Sequence, residues 1–550
     1  MKNYQIHETD VLVIGGGLAG MRSAQKAREG GAKVILVMKG NGASPWVFGF
    51  NAPVGLKDSS ERYYNDILQS GGYINNRNLA KIMAEEAMIA VADLEKIGMN
   101  FDKDGKQYHL LQPLGCSCQR YVHYKNSTGR EAIKLLGDEI RREGVSIIQN
   151  TMITDLIAHD GKIVGVCGIS RKDGNLNIFC AKAIVIAAGG CGRIYPLTTY
   201  PEDITSDGYA MAYQIGADLI DMEFMQFEPC GIVYPESLRG EIIVTTLLME
   251  GGQLKDGKGE RFMLRYDPKR GEKVQKDELA RAIYKEIYEG RGTKHRGVYF
   301  DVSMLPRDLI VTAHSMSYEP ILKAGIDLTK ESAEVAPIAH TFIGGIKIDE
   351  SCATSIKGLY AAGEAAGGIH GANRMGGNAG TEILVFGARA GKYASEYALS
   401  RYFESDRNIN EDFAERKMKL FDSLKIQRNN ELTSSFFRKQ IHDIMQEKVN
   451  IIKSKGGLEE ALNELDGLEK MLPKLTASDI TQIIEFHQIQ NMFITAKIVV
   501  TAALTRTESR GAHYRNDFPE KNDKDWLKNI IITKSNGKIE AQTFKIETSV

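Results

Sequence analysis

Residues 11 to 20 read Val-Leu-Val-Ile-Gly-Gly-Gly-Leu-Ala-Gly, so four apolar residues run directly into a glycine-rich turn. An apolar run of that length, bounded by glycine, is the pattern of a parallel strand buried on both faces. Residues 20 to 29 then read as a helix and Val34 to Met38 as a second strand. This is the βαβ setting that gives a GxGxxG motif its meaning. Gly15 permits the tight turn, Gly17 lets backbone reach a pyrophosphate, Gly20 lets the helix pack on the strand, and the helix N-terminus faces the phosphates. The motif predicts a dinucleotide-binding α/β domain. The acid expected at the end of the second strand is missing, since the chain reads Val37-Met38-Lys39. That lowers the case for NAD and leaves FAD open.

A chain of 550 residues exceeds what one hydrophobic core needs, so several domains are expected. Seventy basic against 71 acidic residues give a net charge of −1. No global field favours nucleic acid or an anionic membrane. The seven cysteines, Cys116, Cys118, Cys167, Cys180, Cys191, Cys230 and Cys352, are scattered without a CxxC spacing. A disulfide framework, a metal site and a cysteine-ligated cluster are therefore not expected within the chain. With a polar N-terminus and no apolar run of membrane-spanning length, a cytoplasmic location without a transmembrane segment is the expectation.

Two further strand-to-glycine junctions lie far downstream. Lys182 to Ala188 runs into Gly189-Gly190-Cys191-Gly192, and Gly358-Leu359-Tyr360-Ala361-Ala362 runs into Gly363-Glu364. The stretch 358 to 391, GLYAAGEAAGGIHGANRMGGNAGTEILVFGARAG, resembles the second FAD motif of the fumarate reductase, succinate dehydrogenase and L-aspartate oxidase flavoproteins. Family-like stretches recur in order along the chain: GGGLAG with Lys39; Arg120 with Thr128-Gly129; residues 205 to 229; GERF at 259 to 262; AHTFIGGIKID at 339 to 349; and TRTESRGAHYRNDFP at 505 to 519. The chain is identified as a divergent member of that family.

The resemblance implies a two-piece Rossmann-like FAD domain of residues 1–235 and 340–395, an inserted α+β capping domain of residues 236–339, and a C-terminal helical domain and tail of residues 396–550. Periodicity supports the last part independently. Leu458, Ala461, Leu462, Leu465, Leu468 and Leu472 recur at three and four, as do Phe437, Ile441, Ile444 and Met445 behind the caps Thr433 to Ser435. From about residue 515 the chain is polar and is expected to wrap the surface.

Carried over motif by motif, the resemblance puts Gly15, Gly16, Gly17, Leu18, Ala19, Gly20, Met38, Lys39 and Ser44 along the adenosine and pyrophosphate of FAD. Ala188, Gly189, Asp207, His340, Thr341, Glu364, His370, Arg374, Gly377, Asn378, Ala379 and Gly380 would follow the ribityl chain and flavin ring. Glu364 has a chemical reason to be there, because a carboxylate accepts two hydroxyl protons. In respiratory members a histidine after the Lys39 position bonds the flavin. Here that position is Pro45, with no histidine between His7 and His109, so the FAD is expected to be non-covalent.

His340 and Arg374 match two members of the family's dicarboxylate clamp, and Arg374 would fork onto a carboxylate. The cap face departs from the family. Its second clamp histidine reads Glu228, its Thr-Glu pair reads Val244-Thr245, and its proton-donating arginine falls on Lys276. The expected catalytic set is Lys276, Glu228, His340 and Arg374, with His340, Arg374, Glu228 and Thr245 touching substrate. An ionised Glu228 would repel a second carboxylate, so fumarate and succinate are not expected. The leading expectation is FAD-dependent hydride transfer at a C–C bond of a small carboxylate-containing substrate. The alternatives are C–N oxidation of an amino acid, as in L-aspartate oxidase, and an electron-transfer subunit. The first and last require a separate electron partner such as an iron-sulfur or ferredoxin-like protein.

Overall fold

The computed structural model describes residues 4–113, 115–400, 407–424, 432–477 and 479–546. Its main sheet has the strand order Ser146–Ile148, Val34–Val37, Tyr4–Ile14, Leu176–Ile186, Lys162–Ser170, Thr151–His159, and Leu359–Ala361 also pairs with Leu176–Ile186. The Tyr4–Ile14 strand pairs in parallel with Val34–Val37 and Leu176–Ile186, and Leu359–Ala361 is parallel too. Val11 to Val13 are fully buried, as the continuous apolar run required. Three distant parts of the sequence thus meet at one sheet edge.

The glycine turn earns its place by close approach. Gly15 has φ +121°, and a Cβ there would overlap the Ala187 carbonyl oxygen. A Cβ on Gly20 would overlap the Gly15 carbonyl, so helix Leu18–Glu29 seats directly on the strand end. The long helix Asn378–Leu399 crosses that helix, with Gly387 and Gly391 against the Ala19 and Ser23 backbone.

A second hydrophobic core is built from residues between 230 and 335, including Ile232, Leu254, Phe262, Ile283, Phe300 and Val335. It packs under a four-stranded sheet ordered Met225–Tyr234, Ala333–Phe342, Val298–Asp301, Gln253–Lys255. The first two strands are the way out of the main body and the way back. Helix Lys276–Tyr288 packs on the Met225–Tyr234 strand and forms the lid of this cap.

The caps and stripes of the C-terminal region fold as their spacing requires. Thr433 accepts from the Phe436 N–H at 3.2 Å and opens helix Ser434–Lys448, with Phe437, Ile441, Ile444 and Met445 buried. Helices Lys455–Glu469 and Ile480–Thr505 pack with it. The tail differs from the expected polar wrap. Lys528–Ser535 and Lys538–Lys545 form an antiparallel hairpin that extends a sheet through Leu219–Ile220. Ile530, Ile531 and Ile532 are buried there, while the outer strand is mostly exposed, which gives the segment its polar look. Among the described residues no helix is long and apolar enough to cross a membrane, and no cluster of ligating side chains could hold a metal ion.

Candidate active site

Four charged or titratable side chains converge where the cap meets the main body. Glu228 and His340 sit on neighbouring antiparallel strands of the cap, with Glu228 opposite Ile338 and Phe227 opposite Ala339. The register slips between Glu228 and Gly231, where Pro229 has no N–H to give the ladder. Lys276 is the first residue of the lid helix, whose entry is fixed by the Gln275 N–H donating to Glu278 at 3.3 Å. Arg374 lies on the loop before helix Asn378–Leu399, and Gln226 holds that loop by donating to Asn373 Oδ1 at 2.7 Å and to the Arg374 carbonyl at 2.8 Å.

Lys276 Nζ donates to Glu228 Oε2 at 2.5 Å, and Glu228 is only 4 % exposed. Burial alone would raise the Glu228 pKa, but Lys276, His340 and Arg374 together hold it below the ordinary carboxylate range. Glu228 is therefore an anion with its charge matched. This corrects the expectation of a bare negative charge facing the substrate: the amine that neutralises Glu228 is supplied by Lys276, 48 residues away on the lid.

Burial pushes His340 down to about 3 against the pull of Glu228, with Arg374 and Lys276 reinforcing the shift. The imidazole is neutral at ordinary pH. Its Nδ1 shares a hydrogen bond with the Thr199 hydroxyl at 3.1 Å. Arg374 is 6 % exposed, and burial lowers its pKa against the opposing charges of Glu228, Glu364 and Glu382. Its Nη1 donates to the Met375 carbonyl at 3.1 Å, and Nε has no partner among the described residues. Thr245 is buried within the cap just before the short helix Thr246–Met249, and its carbonyl accepts from Leu248 at 3.0 Å. No bond joins it to the four converging groups.

The residues expected along the cofactor form a continuous track. Ser44 Oγ accepts from the Leu18 N–H at 2.9 Å and lies under Gly17. Beside Met38 and Lys39 a cavity of about 480 Å³ opens between Met21, Gln149 and Asn150. Lys39 Nζ meets Asp207 Oδ2 at 2.5 Å, and Asp207 Oδ1 accepts from Asn491 at 2.8 Å. Ala188 and Gly189 follow the Leu176–Ile186 strand, with Gly189 at φ +75°. Thr341 is buried opposite Gln226. Glu364 takes a hydrogen bond from the Tyr200 hydroxyl and one from the Phe342 N–H at 2.7 Å. Burial nevertheless raises it to about 7. His370 Nε2 pairs with Glu382 at 2.9 Å, and Asn378 Oδ1 accepts from Asn51 at 2.7 Å and Tyr63 at 2.9 Å. Gly377, at φ +83°, precedes the helix whose first turn carries Asn378, Ala379 and Gly380.

Whether a flavin nucleotide fits this track is tested by its orphaned polar atoms. Ser206 Oγ, His370 Nδ1, Arg374 Nε and Asn378 Nδ2 are buried without a partner among the described residues. Buried polar groups are almost always hydrogen-bonded, so their clustering along one track calls for a polar ligand. The glycine cradle supplies backbone for its phosphates, and the N-terminus of helix Asn378–Leu399 supplies a positive end. FAD fits both.

Sequence reasoning missed Tyr200, Thr199, Gln226, Glu382 and Asn491. Asn491 alone had a signal, being one of the few polar residues within the largely apolar 489 to 500 run of a long helix, where burial requires a partner.

Comparison with known proteins agrees with this construction. A model of the FAD binding domain matches residues 10–379, and one of the fumarate reductase flavoprotein C-terminus matches residues 438–549. The chain is 39% identical over 551 residues to a fumarate reductase (CoM/CoB) subunit of Methanothermobacter marburgensis, covering 98% of this chain and 99% of that one. It is 31% identical to L-aspartate oxidase of Yersinia pestis, covering 94% and 98%. Among solved structures, Sdh1 of Mycobacterium smegmatis in complex with UQ1 superposes with a TM-score of 0.90 at 33% identity, over 99% of this chain and 95% of that one. The chain belongs to the fumarate reductase, succinate dehydrogenase and L-aspartate oxidase flavoprotein family, and it is an FAD-dependent oxidoreductase.

Proposed function

We propose that the chain transfers a hydride to or from a C–C bond of a small carboxylate substrate held between the cap and the main body. The observation that carries this reading is the buried Lys276–Glu228 pair beside His340 and Arg374. Bound FAD supplies the hydride donor or acceptor. Arg374 offers a planar fork, already desolvated, to one substrate carboxylate. His340, neutral and held at Nδ1 by Thr199, gives a second hydrogen bond from Nε2 without adding charge. Lys276 passes a proton to the carbon next to the one that takes the hydride, and Glu228 stabilises the ammonium until then. Closure of the lid helix over these groups excludes water.

The case against a dicarboxylate rests on a bare Glu228 charge. Lys276 removes that charge, so fumarate and succinate come within range of the site, in keeping with a relative named for fumarate. C–N oxidation fits less well, because the carboxylate that would hold a substrate ammonium already holds Lys276. Electrons reach the flavin through a separate iron-sulfur or ferredoxin-like protein. A reading as one subunit of a larger enzyme is supported by the name of the relative, and the seven free cysteines suit a reducing, cytoplasmic setting.

The deciding experiment is anaerobic re-oxidation of the reduced flavin by fumarate, mono-enoates and imino acids, together with bleaching of the oxidised flavin by the saturated acids and amino acids. Re-oxidation by an enoate is the expected result. Peroxide formation with an amino acid and oxygen, without any enoate reaction, would overturn it. Acid precipitation of the pure protein is expected to leave the yellow chromophore in the supernatant, as Pro45 in place of a histidine requires.

A further inference from the structure

The lid helix is held at its site end by Lys276 and Glu228, and one turn further on by a contact that belongs to neither cofactor nor substrate. Arg281 Nη1 lies 3.1 Å from Asp277 Oδ2 and donates to the Gly511 carbonyl at 3.3 Å, while its guanidinium sits 5.4 Å from the Tyr514 ring centroid. Gly511 and Ala512 belong to a tight loop closed by reciprocal backbone bonds between Arg510 and His513. That loop is bolted to the Arg374 loop. The Ala512 N–H donates to the Ala372 carbonyl at 3.0 Å, and a Cβ on Gly511 would overlap the same carbonyl. Arg510 Nη1 donates to the Gly72 carbonyl at 2.7 Å, and the Ala372 N–H donates to the neighbouring Gly71 carbonyl at 2.8 Å.

We propose that Arg281 is a positioning residue: it docks the lid on the 511–514 loop and so fixes the Lys276 ammonium relative to the Arg374 fork. The inference rests on the hydride-transfer reading for its kinetic consequence, and on geometry alone for the docking itself. The route from Arg281 to Arg374 is short and almost entirely backbone: Gly511 carbonyl, Ala512 N–H, Ala372 carbonyl, then two residues of chain. Such a path transmits position without slack, because no long side chain intervenes after Arg281. Asp277 lies one turn before Arg281 and holds the guanidinium towards Gly511. Lys276 is the preceding residue, so a lid that rocks about this contact moves the proton donor first. A misplacement of about 1 Å between donor and anchored substrate is enough for a hundredfold loss of rate.

The test uses the FAD-loaded protein and three forms, wild type, Arg281→Gln and Arg281→Lys. Hydrogen exchange is read at residues 276–288 and 511–514, and anaerobic re-oxidation by the best enoate is read as kcat and KM. Faster exchange in both segments of Arg281→Gln, unchanged FAD content, unchanged reduction of the flavin by dithionite, and kcat lower by about tenfold to a hundredfold are expected. Arg281→Lys, which keeps a cation for the Gly511 carbonyl, is expected to recover most of both effects. Unchanged exchange in Arg281→Gln overturns the docking. Faster exchange with unchanged kcat, or a loss of activity that only follows loss of FAD, overturns the positioning role. If no enoate re-oxidises the wild type, the hydride-transfer reading fails, while the exchange measurement still decides the docking.

Discussion

The two walls of the cleft are built from different materials. On the cofactor side the decisive features are backbone: Gly15 and Gly20 bring strand, turn and helix into contact, and Gly387 and Gly391 bring the long helix against the first. On the cap side they are side-chain charges delivered by a strand, its neighbour, a helix start and a loop, and they are defined by one another. A backbone site tolerates no Cβ and cannot be retuned. A side-chain site can be rewritten while the fold stays put. This explains how a chain that shares an architecture with fumarate reductases and L-aspartate oxidases carries a cap chemistry of its own.

The sharpest way to break the contrast is to disturb the backbone wall. Gly20→Val puts side-chain atoms on the Gly15 carbonyl, and the expected result is loss of FAD with about 3 kcal/mol or more of destabilisation, read as absent flavin absorbance and a lowered Tm. FAD retained in that variant would show that the cradle can yield. On the other wall, Arg374→Met is expected to keep FAD and lose about a thousandfold in substrate-driven re-oxidation, since a charge-stabilising donor is gone. Loss of flavin in step with activity would mean that Arg374 belongs to the cofactor wall.

Next in size, Lys276→Met strands Glu228 as a buried anion. A loss of about a hundredfold in rate and about 3 kcal/mol in stability is expected. Adding Glu228→Gln should restore most of the stability and none of the rate, which separates the electrostatic role of Lys276 from its proton role. Denaturant melts of the single and double variants measure the first part, and stopped-flow traces measure the second. The smallest effect is an absence. With His340 held down to about 3, no limb of the kcat/KM profile near the ordinary 6.5 should come from it. An acid limb there that vanishes in His340→Asn would show a histidine that titrates in the working enzyme.

Much of the backbone wall was legible in the sequence, because its signals are local. Four apolar residues and a spaced glycine turn specify a βαβ unit without reference to anything distant, and Thr433 ahead of the Phe437 to Met445 stripe specifies a helix start. The cap chemistry was legible only residue by residue. Glu228 and Lys276 each stood out as a departure from the family, but nothing within either segment says that they pair, since the pairing depends on how a strand and a helix dock. Tyr200 and Asn491 act on Glu364 and Asp207 across 164 and 284 positions. The tail hairpin hid for another reason: only Ile530 to Ile532 face the interior, too short a run to offset the polar residues around it.

The bond from Asn491 to Asp207 carries a consequence for how the chain comes into being. A polypeptide leaves the ribosome N-terminus first. The motif strand Tyr4–Ile14 must wait for Leu176–Ile186, then for Leu359–Ala361, and Asp207 waits for a helix that begins at Ile480. The dinucleotide fingerprint, first to be translated, is thus among the last parts to be finished, so the vitamin-derived cofactor is captured by a nearly complete chain rather than by a nascent one.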